Sequence, residues 1–180
     1  MSEGFIFEFK QIDDNDARAT VAAWREQVEK FGDIVNPSYY RMIFDWVLKT
    51  ASNGGDPGSY AYGLFKPGGQ PSEAQALLAI THAGEKSDAP WLKLLSLYVS
   101  PEYDAESETR VVELGQITVQ AIIESFELTF DKHPSDSLKI CSAGSTLDRG
   151  FLRGLSAQLN DRGIRARMSG NWLICERPKG

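Results

Sequence analysis

The feature that most constrains the fold is an apolar run that stops at a proline and leads into a helix-length segment. Residues 94–99, Leu-Leu-Ser-Leu-Tyr-Val, have the length and composition of a strand, and Ser100-Pro101 ends it. Beyond an acidic stretch, apolar residues recur at helical spacing. Their stripe predicts the longest helix of the chain, packed on a whole sheet face. The stripe consists of Val112, Val119, Ile123, Phe126 and Phe130.

Alternating apolar residues and turn signals mark the strands. Three of them follow one another with short separators, which predicts an antiparallel meander. Near the C-terminus, alternation on both sides of Ser169-Gly170-Asn171 predicts a hairpin. The predicted strands span residues 5–10, 60–65, 76–82, 91–99, 137–142, 164–168 and 172–175.

Polar residues mark the helix starts. The cluster at 13–16, Asp-Asp-Asn-Asp, offers N-caps for a first helix, and Asn36-Pro37 opens a second one. Residues 145–148, Ser-Thr-Leu-Asp, resemble a capping box for the last helix, which Arg162-Gly163 ends. The whole pattern predicts an α+β fold in the order βααβββαβαββ. We expect a mostly antiparallel twisted sheet of about seven strands, with four helices on its faces.

Length and charge limit the functions to be considered. A chain of 180 residues can bury a good core, and the even spread of apolar residues predicts a single domain over 1–180. The net charge of −6 argues against nucleic acid or an anionic membrane as the main partner. The N-terminus has no signal-peptide pattern, and no apolar run reaches the roughly 20 residues of a membrane span. We therefore expect a cytoplasmic protein.

The two cysteines and the local group of arginines give little indication of a function. Cys141 and Cys175 lack metal-ligand spacing, which predicts reduced, buried thiols and no metal site. Arg162, Arg165 and Arg167 form a local basic group, which either lies on a solvated hairpin edge or suits an acidic partner. Exposed strand or helix faces would also suit a homodimer.

The run from residue 94 to Tyr103 resembles the central strand of the GNAT superfamily of acyl-CoA-dependent N-acyltransferases. The order of elements over nearly the whole chain is similar to that family as well. In GNAT folds the fourth and fifth strands splay apart, and the pantetheine arm of the cofactor bonds to the backbone of the fourth strand. The resemblance implies that the backbone of Leu97, Tyr98 and Val99 holds acetyl-CoA or another acyl-CoA.

The glycine-rich loop of the family is not preserved in this chain. Its pattern of Arg or Gln, Gly, basic, Gly, apolar, Gly falls on residues 104–109, which contain no glycine and three carboxylates. Glycines let a helix N-terminus approach phosphate closely, whereas carboxylates at that place repel it. By resemblance, Thr109 and Arg110 are the residues left to meet the cofactor's phosphates.

Catalytic residues are not identified by the pattern. In the family, a base deprotonates an attacking amine, and a tyrosine often protonates the leaving thiolate. The tyrosine position falls on Leu159, and no tyrosine lies between Asp104 and the C-terminus. The candidate bases are His82, Glu102 and Tyr103. Each has an alternative interpretation as a residue with a structural role only.

Three further tyrosines border the predicted sheet. Tyr60 and Tyr62 share one face of a strand, where they either line an acceptor site or pack as ordinary strand aromatics. Tyr98 either lines a substrate groove or packs, and we favour packing.

Two functions follow from the resemblance. The first is an N-acyltransferase that transfers an acetyl or acyl group from CoA to a small-molecule or protein amine. The second is a catalytically inactive GNAT-fold protein that binds a protein partner as a binding or regulatory module. Fold alone does not choose between them.

Overall fold

A computed structural model describes residues 7–68, 73–142 and 147–177. Their strands form one seven-stranded sheet in the order β1-β2-β3-β4-β5-β7-β6. Neighbouring strands are antiparallel except β4 and β5, which are parallel. The strands are β1 (Glu8–Gln11), β2 (Ser59–Phe65), β3 (Ala74–Ala83), β4 (Trp91–Val99), β5 (Ser137–Cys141), β6 (Arg165–Ser169) and β7 (Trp172–Glu176). The meander and the C-terminal hairpin are both confirmed.

The predicted order of elements is confirmed, with one short helix added after β4. The helices are α1 (Asp14–Lys30), α2 (Pro37–Ala51), α3 (Pro101–Ala105), α4 (Val111–Glu127) and α5 (Arg149–Asp161). The added helix α3 forms because Pro101 has its φ angle preset for a first helical position. The Ser100 carbonyl accepts hydrogen bonds from the backbone N–H groups of Tyr103 and Asp104, at 3.0 and 3.2 Å.

Capping residues start three of the helices. Asp13 and Asp16 form a reciprocal capping box on α1, and the Asn36 side chain caps α2 ahead of Pro37. Asp148 is the N-cap of α5, where its carboxylate accepts from the Phe151 N–H at 2.8 Å. The predicted capping residues Ser145 and Thr146, and the start of the first strand at 5–6, lie outside the described residues.

Two apolar cores lie on opposite faces of the sheet. Helices α1 and α2 pack on one face, where the Trp24 indole donates a hydrogen bond to the Ala74 carbonyl at 2.8 Å. Helices α4 and α5 pack on the other face, over Leu92, Leu94 and Leu138. Strands β3 and β4 contribute side chains to both cores.

Of the five stripe residues predicted to pack on the sheet, Phe126 packs against the core and the other four are exposed. Val112, Val119 and Ile123 are 74%, 44% and 36% exposed, and Phe130 beyond the helix is 42% exposed. The buried face instead carries Ile117, Ala121 and Ile122 together with polar residues. The helix has 17 residues, the same length as α1, and it begins after the acidic stretch.

Hydrogen bonds explain why polar residues of α4 are buried. Thr118 and Ser125 donate to the carbonyls four residues earlier, each at 2.7 Å, which satisfies both hydroxyls inside the core. The Gln120 side chain bonds both the N–H and the carbonyl of Phe7, at 3.3 and 2.6 Å. Burial of these side chains therefore costs little free energy. The spacing of residues in the sequence alone could not show that they are buried.

Cys175 is buried as predicted, which raises the pKa of its thiol to about 12, whereas Cys141 is only half-buried, so the prediction of a buried thiol is wrong there. Within the described residues, no helix is both long enough and apolar enough to cross a bilayer.

Candidate functional site

The parallel strands β4 and β5 separate partway along their length. Their pairing covers Trp91 to Leu94 on β4 and Ser137 to Ile140 on β5. Next to the end of this pairing, β4 has a bulge: Ala79 of β3 faces Ser96 and Ile80 faces Leu94, so that Leu95 is an extra residue. The second half of β4 is not paired with β5 within the described residues, and this divergence is the candidate site.

The three β4 residues expected to hold a cofactor lie in the half of β4 that extends past its pairing with β5 and remains paired with β3. Leu97 and Val99 pack into the core under α4 and α5. Tyr98 points to the opposite face, with its ring centroid 5.5 Å from that of Trp46 and 6.2 Å from that of Tyr39. The Val99 carbonyl accepts a hydrogen bond from the Tyr40 hydroxyl at 3.3 Å. At least one backbone group of this segment is therefore already engaged by the protein.

The backbone of the acidic stretch folds back on itself. The Glu106 N–H donates to the Glu102 carbonyl at 3.1 Å, which ends α3. The N–H groups of Thr109 and Arg110 both donate to the Glu106 carbonyl at 3.0 Å, and the Thr109 hydroxyl does the same at 3.0 Å. These donors would have to break internal bonds before they could bind a phosphate.

Arg110 is held by three carboxylates. Its guanidinium forms an ion pair with Glu102, a 2.7 Å bond to Glu106 and a 3.7 Å contact with Glu113. It also lies 5.0 Å from the centroid of the Tyr103 ring. Partial burial opposes its charge, but the three carboxylates outweigh that effect and raise the pKa of Arg110 above its usual value. One cation with three anions leaves this group with net negative charge.

The residues of this loop do not fit the pyrophosphate of an acyl-CoA. An anion site at a helix start needs free N–H groups and a positive local potential. Here the Thr109 and Arg110 N–H groups are bonded internally, and the only arginine is neutralised by acids. A pyrophosphate would have to compete with Glu102, Glu106 and Glu113 for one guanidinium.

Two residues from distant helices brace the loop. The Tyr40 hydroxyl bonds the Asp104 carboxylate at 3.2 Å, and burial together with that carboxylate raises the pKa of Tyr40 well above its usual value. The Gln27 side-chain oxygen accepts from the Glu102 N–H at 3.0 Å. Sequence reasoning missed both residues because they lie more than 60 positions before their partners. The only indirect indication in the sequence was the Asn36-Pro37 cap, which places Tyr40 one turn into α2.

Two of the three candidate bases lie at this site, but neither is available as a base, and the third is distant. Glu102 is paired with Arg110, and Tyr103 is fully buried, which raises its pKa to about 12. His82 lies opposite Leu92, seven residues before Val99, so it is about 20 Å from the end of β4.

The two histidines of the chain come together at the far end of the sheet. The His82 and His133 ring centroids are 5.5 Å apart, and a 2.9 Å hydrogen bond joins His133 Nε2 to the Tyr62 hydroxyl. The Tyr60 ring lies 4.3 Å from that of His133. Burial, aided by His82 and Lys132, lowers the pKa of His133. Sequence reasoning missed His133 because no local pattern relates positions 51 residues apart.

A cavity of about 270 Å³ opens beside Tyr62. Lys10 and Lys132 line it together with Glu124, Glu127 and Asp131, and its remaining walls are apolar. Cations and anions are mixed in it, so its lining selects no ligand charge. In the part of the chain that the structure describes, no three His, Cys, Asp or Glu side chains are grouped as a metal site would require.

No model of a known protein family matches the sequence, and no curated protein matches it. Solved structures share its fold. A GNAT-family protein from Desulfovibrio desulfuricans is 13% identical with a TM-score of 0.50, over 96% of this chain and 98% of that one. The PaiA N-acetyltransferase of Thermoplasma acidophilum, solved with coenzyme A, is 14% identical over 96% and 99%, with a TM-score of 0.43. AtaT, solved with acetyl-methionyl-tRNA, is 8% identical over 94% of each chain, with a TM-score of 0.49.

The chain therefore has the fold of the GNAT superfamily. The seven-stranded sheet, the element order and the divergence of β4 from β5 are the features that carry this assignment. At these identities the likeness concerns the fold, and the function has to be argued from the site.

Proposed function

We propose that this protein is a GNAT-fold binding module that does not use acyl-CoA. The observation that carries the proposal is the Arg110 group, in which three carboxylates hold the one cation of the loop. The internally bonded N–H groups of Thr109 and Arg110 support it. The tyrosine expected as a proton donor is also replaced, by Leu159, which packs against the core.

N-acyl transfer from CoA to a small-molecule or protein amine is the second candidate. The divergence of β4 from β5 favours it, because that opening is where the family holds its cofactor. In this case the backbone of Leu97, Tyr98 and Val99 would hold the pantetheine arm, and Thr109 and Arg110 would meet the phosphates. Arg110 would first have to leave its carboxylates.

Binding of acetyl-CoA separates the two candidates. We expect no heat in calorimetry and no thermal shift at millimolar acetyl-CoA. A ligand at about 100 times its Kd stabilises the native state by about 2.7 kcal/mol, which would raise the Tm of a domain of this size by several degrees. A shift of that size would contradict the binding-module proposal.

The charge of the loop can be tested directly. If wild-type protein binds acetyl-CoA after all, replacing Glu106 and Glu108 with glutamine should tighten binding severalfold, because repulsion of the pyrophosphate falls. Glu26→Gln with Glu29→Gln on α1 makes the same charge change elsewhere and serves as the control. Equal affinities for both double variants would refute our account of the loop.

A further inference from the structure

Half of one sheet face carries no helix within the described residues. Helices α1 and α2 cover β1 to β4 on this side, and α4 and α5 lie on the opposite side. Outward side chains at the start of β4 and on β5, β7 and β6 belong to neither core and are half-buried or exposed. We call this surface the open sheet face. It comprises Trp91, Lys93, Lys139, Arg167, Trp172 and Ile174.

Strand register places three cations of the open sheet face in one row. Lys93 lies opposite Lys139, Lys139 opposite Ile174, and Ile174 opposite Arg167. At about 4.8 Å between strands, the row crosses the sheet over about 14 Å. Glu176 lies beside it and forms ion pairs with Arg165 at 3.7 Å and with Arg167 at 3.8 Å, so one carboxylate stands against the three cations of the row. The row therefore keeps a net positive charge.

The two lysines of the row have no carboxylate partner among the described residues. Like charges directly opposite each other on adjacent strands are destabilising. Their ammonium groups lie near indole rings instead: Lys139 Nζ is 4.3 Å from the Trp91 ring centroid, and Lys93 Nζ is 5.7 Å from that of Trp172. An anionic ligand would relieve this repulsion and release both rings.

We propose that the open sheet face binds single-stranded nucleic acid without sequence preference. Phosphates pair with Lys93, Lys139 and Arg167, and bases stack on Trp91 and Trp172. Among polyanions, a single strand combines regular negative charge with flat rings, which is what a basic surface with aromatic side chains selects. An acidic peptide supplies the charge without the rings.

The net charge of the protein does not oppose this assignment. A value of −6 is a sum over the whole chain, whereas binding depends on the local potential. The expectation that nucleic acid is not the main partner was based on the net charge of the whole chain. The proposal names single-stranded nucleic acid as the partner of the proposed binding module. It rests on the proposed function only in taking the protein to be a binding module.

Fluorescence anisotropy with labelled 12-nucleotide poly(U) RNA and poly(dT) tests the proposal. We expect both to bind at low salt, with a slope of log K against log salt near −2, since each neutralised phosphate contributes about −0.7 in single strands. The double variant Lys93→Gln, Lys139→Gln should lose about 1.4 of that slope. Lys30→Gln with Lys49→Gln, both exposed on α1 and α2, is the matched control and should bind as wild type does.

The indoles have a separate readout. Binding should quench tryptophan fluorescence, because bases stack on Trp91 and Trp172 while Trp24 stays buried. Trp172→Leu should lower affinity on the order of tenfold, and Trp172→Phe should lower it less because a phenyl ring still stacks. Circular dichroism of each variant reports whether it is folded.

Two outcomes would overturn the proposal. One is an unchanged anisotropy for both oligonucleotides at low salt. The other is displacement of the oligonucleotide by poly-glutamate of similar charge at equal concentration, which would assign the face to acidic proteins instead. Neither outcome bears on acetyl-CoA, because calorimetry with that ligand probes the end of β4 and the Arg110 loop, whereas the open sheet face lies at the start of β4.

Discussion

At the scale of single residues, neighbours decide whether a charge is available to a ligand. Arg110 is a basic residue at the start of α4, directly after the positions of the family's loop, yet Glu102, Glu106 and Glu113 take up its guanidinium. Lys139 has no carboxylate partner among the described residues and lies over an indole. Sequence position alone would make Arg110 the better anion ligand. The contacts favour Lys139.

His133 should make folding stability depend on pH. Its pKa is lowered in the folded protein, by burial first and then by His82 and Lys132. The unfolded chain therefore binds more protons below its ordinary pKa of about 6.5. The contribution of His133 is fully present above that pH, and it is lost as the pH falls through 6.5 towards the folded pKa.

Denaturant unfolding between pH 8 and pH 5 measures this effect. We expect His133→Gln to flatten the acid side of the stability curve, because glutamine does not titrate and can still bond the Tyr62 hydroxyl. The same slope below pH 6.5 in wild type and variant would show that His133 is not the responsible group.

At the scale of elements, α4 shows how two stripes compete on one helix. Val112, Val119 and Ile123 have helical spacing, and so do Ile117 and Ala121. The second stripe is buried because its polar neighbours find hydrogen bonds inside the core. The first stripe stays exposed and flanked by acids, which makes it the poorer choice for burial against the sheet.

Paired substitutions on α4 test which face is buried. Val119→Gln should change the free energy of unfolding by less than about 0.5 kcal/mol, because the side chain is 44% exposed. Ile117→Ala should cost about 2 to 5 kcal/mol, because Ile117 is fully buried in the core. Chemical denaturation measures both, and comparable losses for the two variants would contradict the orientation of α4.

At the scale of the whole molecule, the two cores are joined through the sheet. Leu78 and Ile80 of β3 belong to the core under α4, whereas Leu77 belongs to the core under α2. Because neighbouring residues of one strand serve both cores, unfolding one core removes the support of the other. This sharing is the reason we propose a single domain.

Thermal unfolding should accordingly show one cooperative transition. Circular dichroism reports all the helices, and tryptophan fluorescence reports the four indoles, among them Trp24 in the core under α1 and α2. We expect the two signals to change with the same Tm. Two separated transitions would show that the cores unfold independently.

By itself, the sequence determined the order and kind of the elements, the meander, the hairpin and most helix ends. Those features depend on residues close together in the chain, such as the Asp13 box, the Asn36-Pro37 cap and the strand that stops at Pro101. Their physical causes are backbone hydrogen bonds and φ preferences, which act over a few positions.

Only the tertiary structure decided which side chains meet. The pairing of His82 with His133, the carboxylates around Arg110, the bracing of the loop by Gln27 and the row of lysines all join distant parts of the chain. Sheet order and helix docking bring them together, and these depend on the packing of the whole core. A local pattern carries no record of that packing, because the free energy that selects it is summed over contacts between residues far apart in sequence.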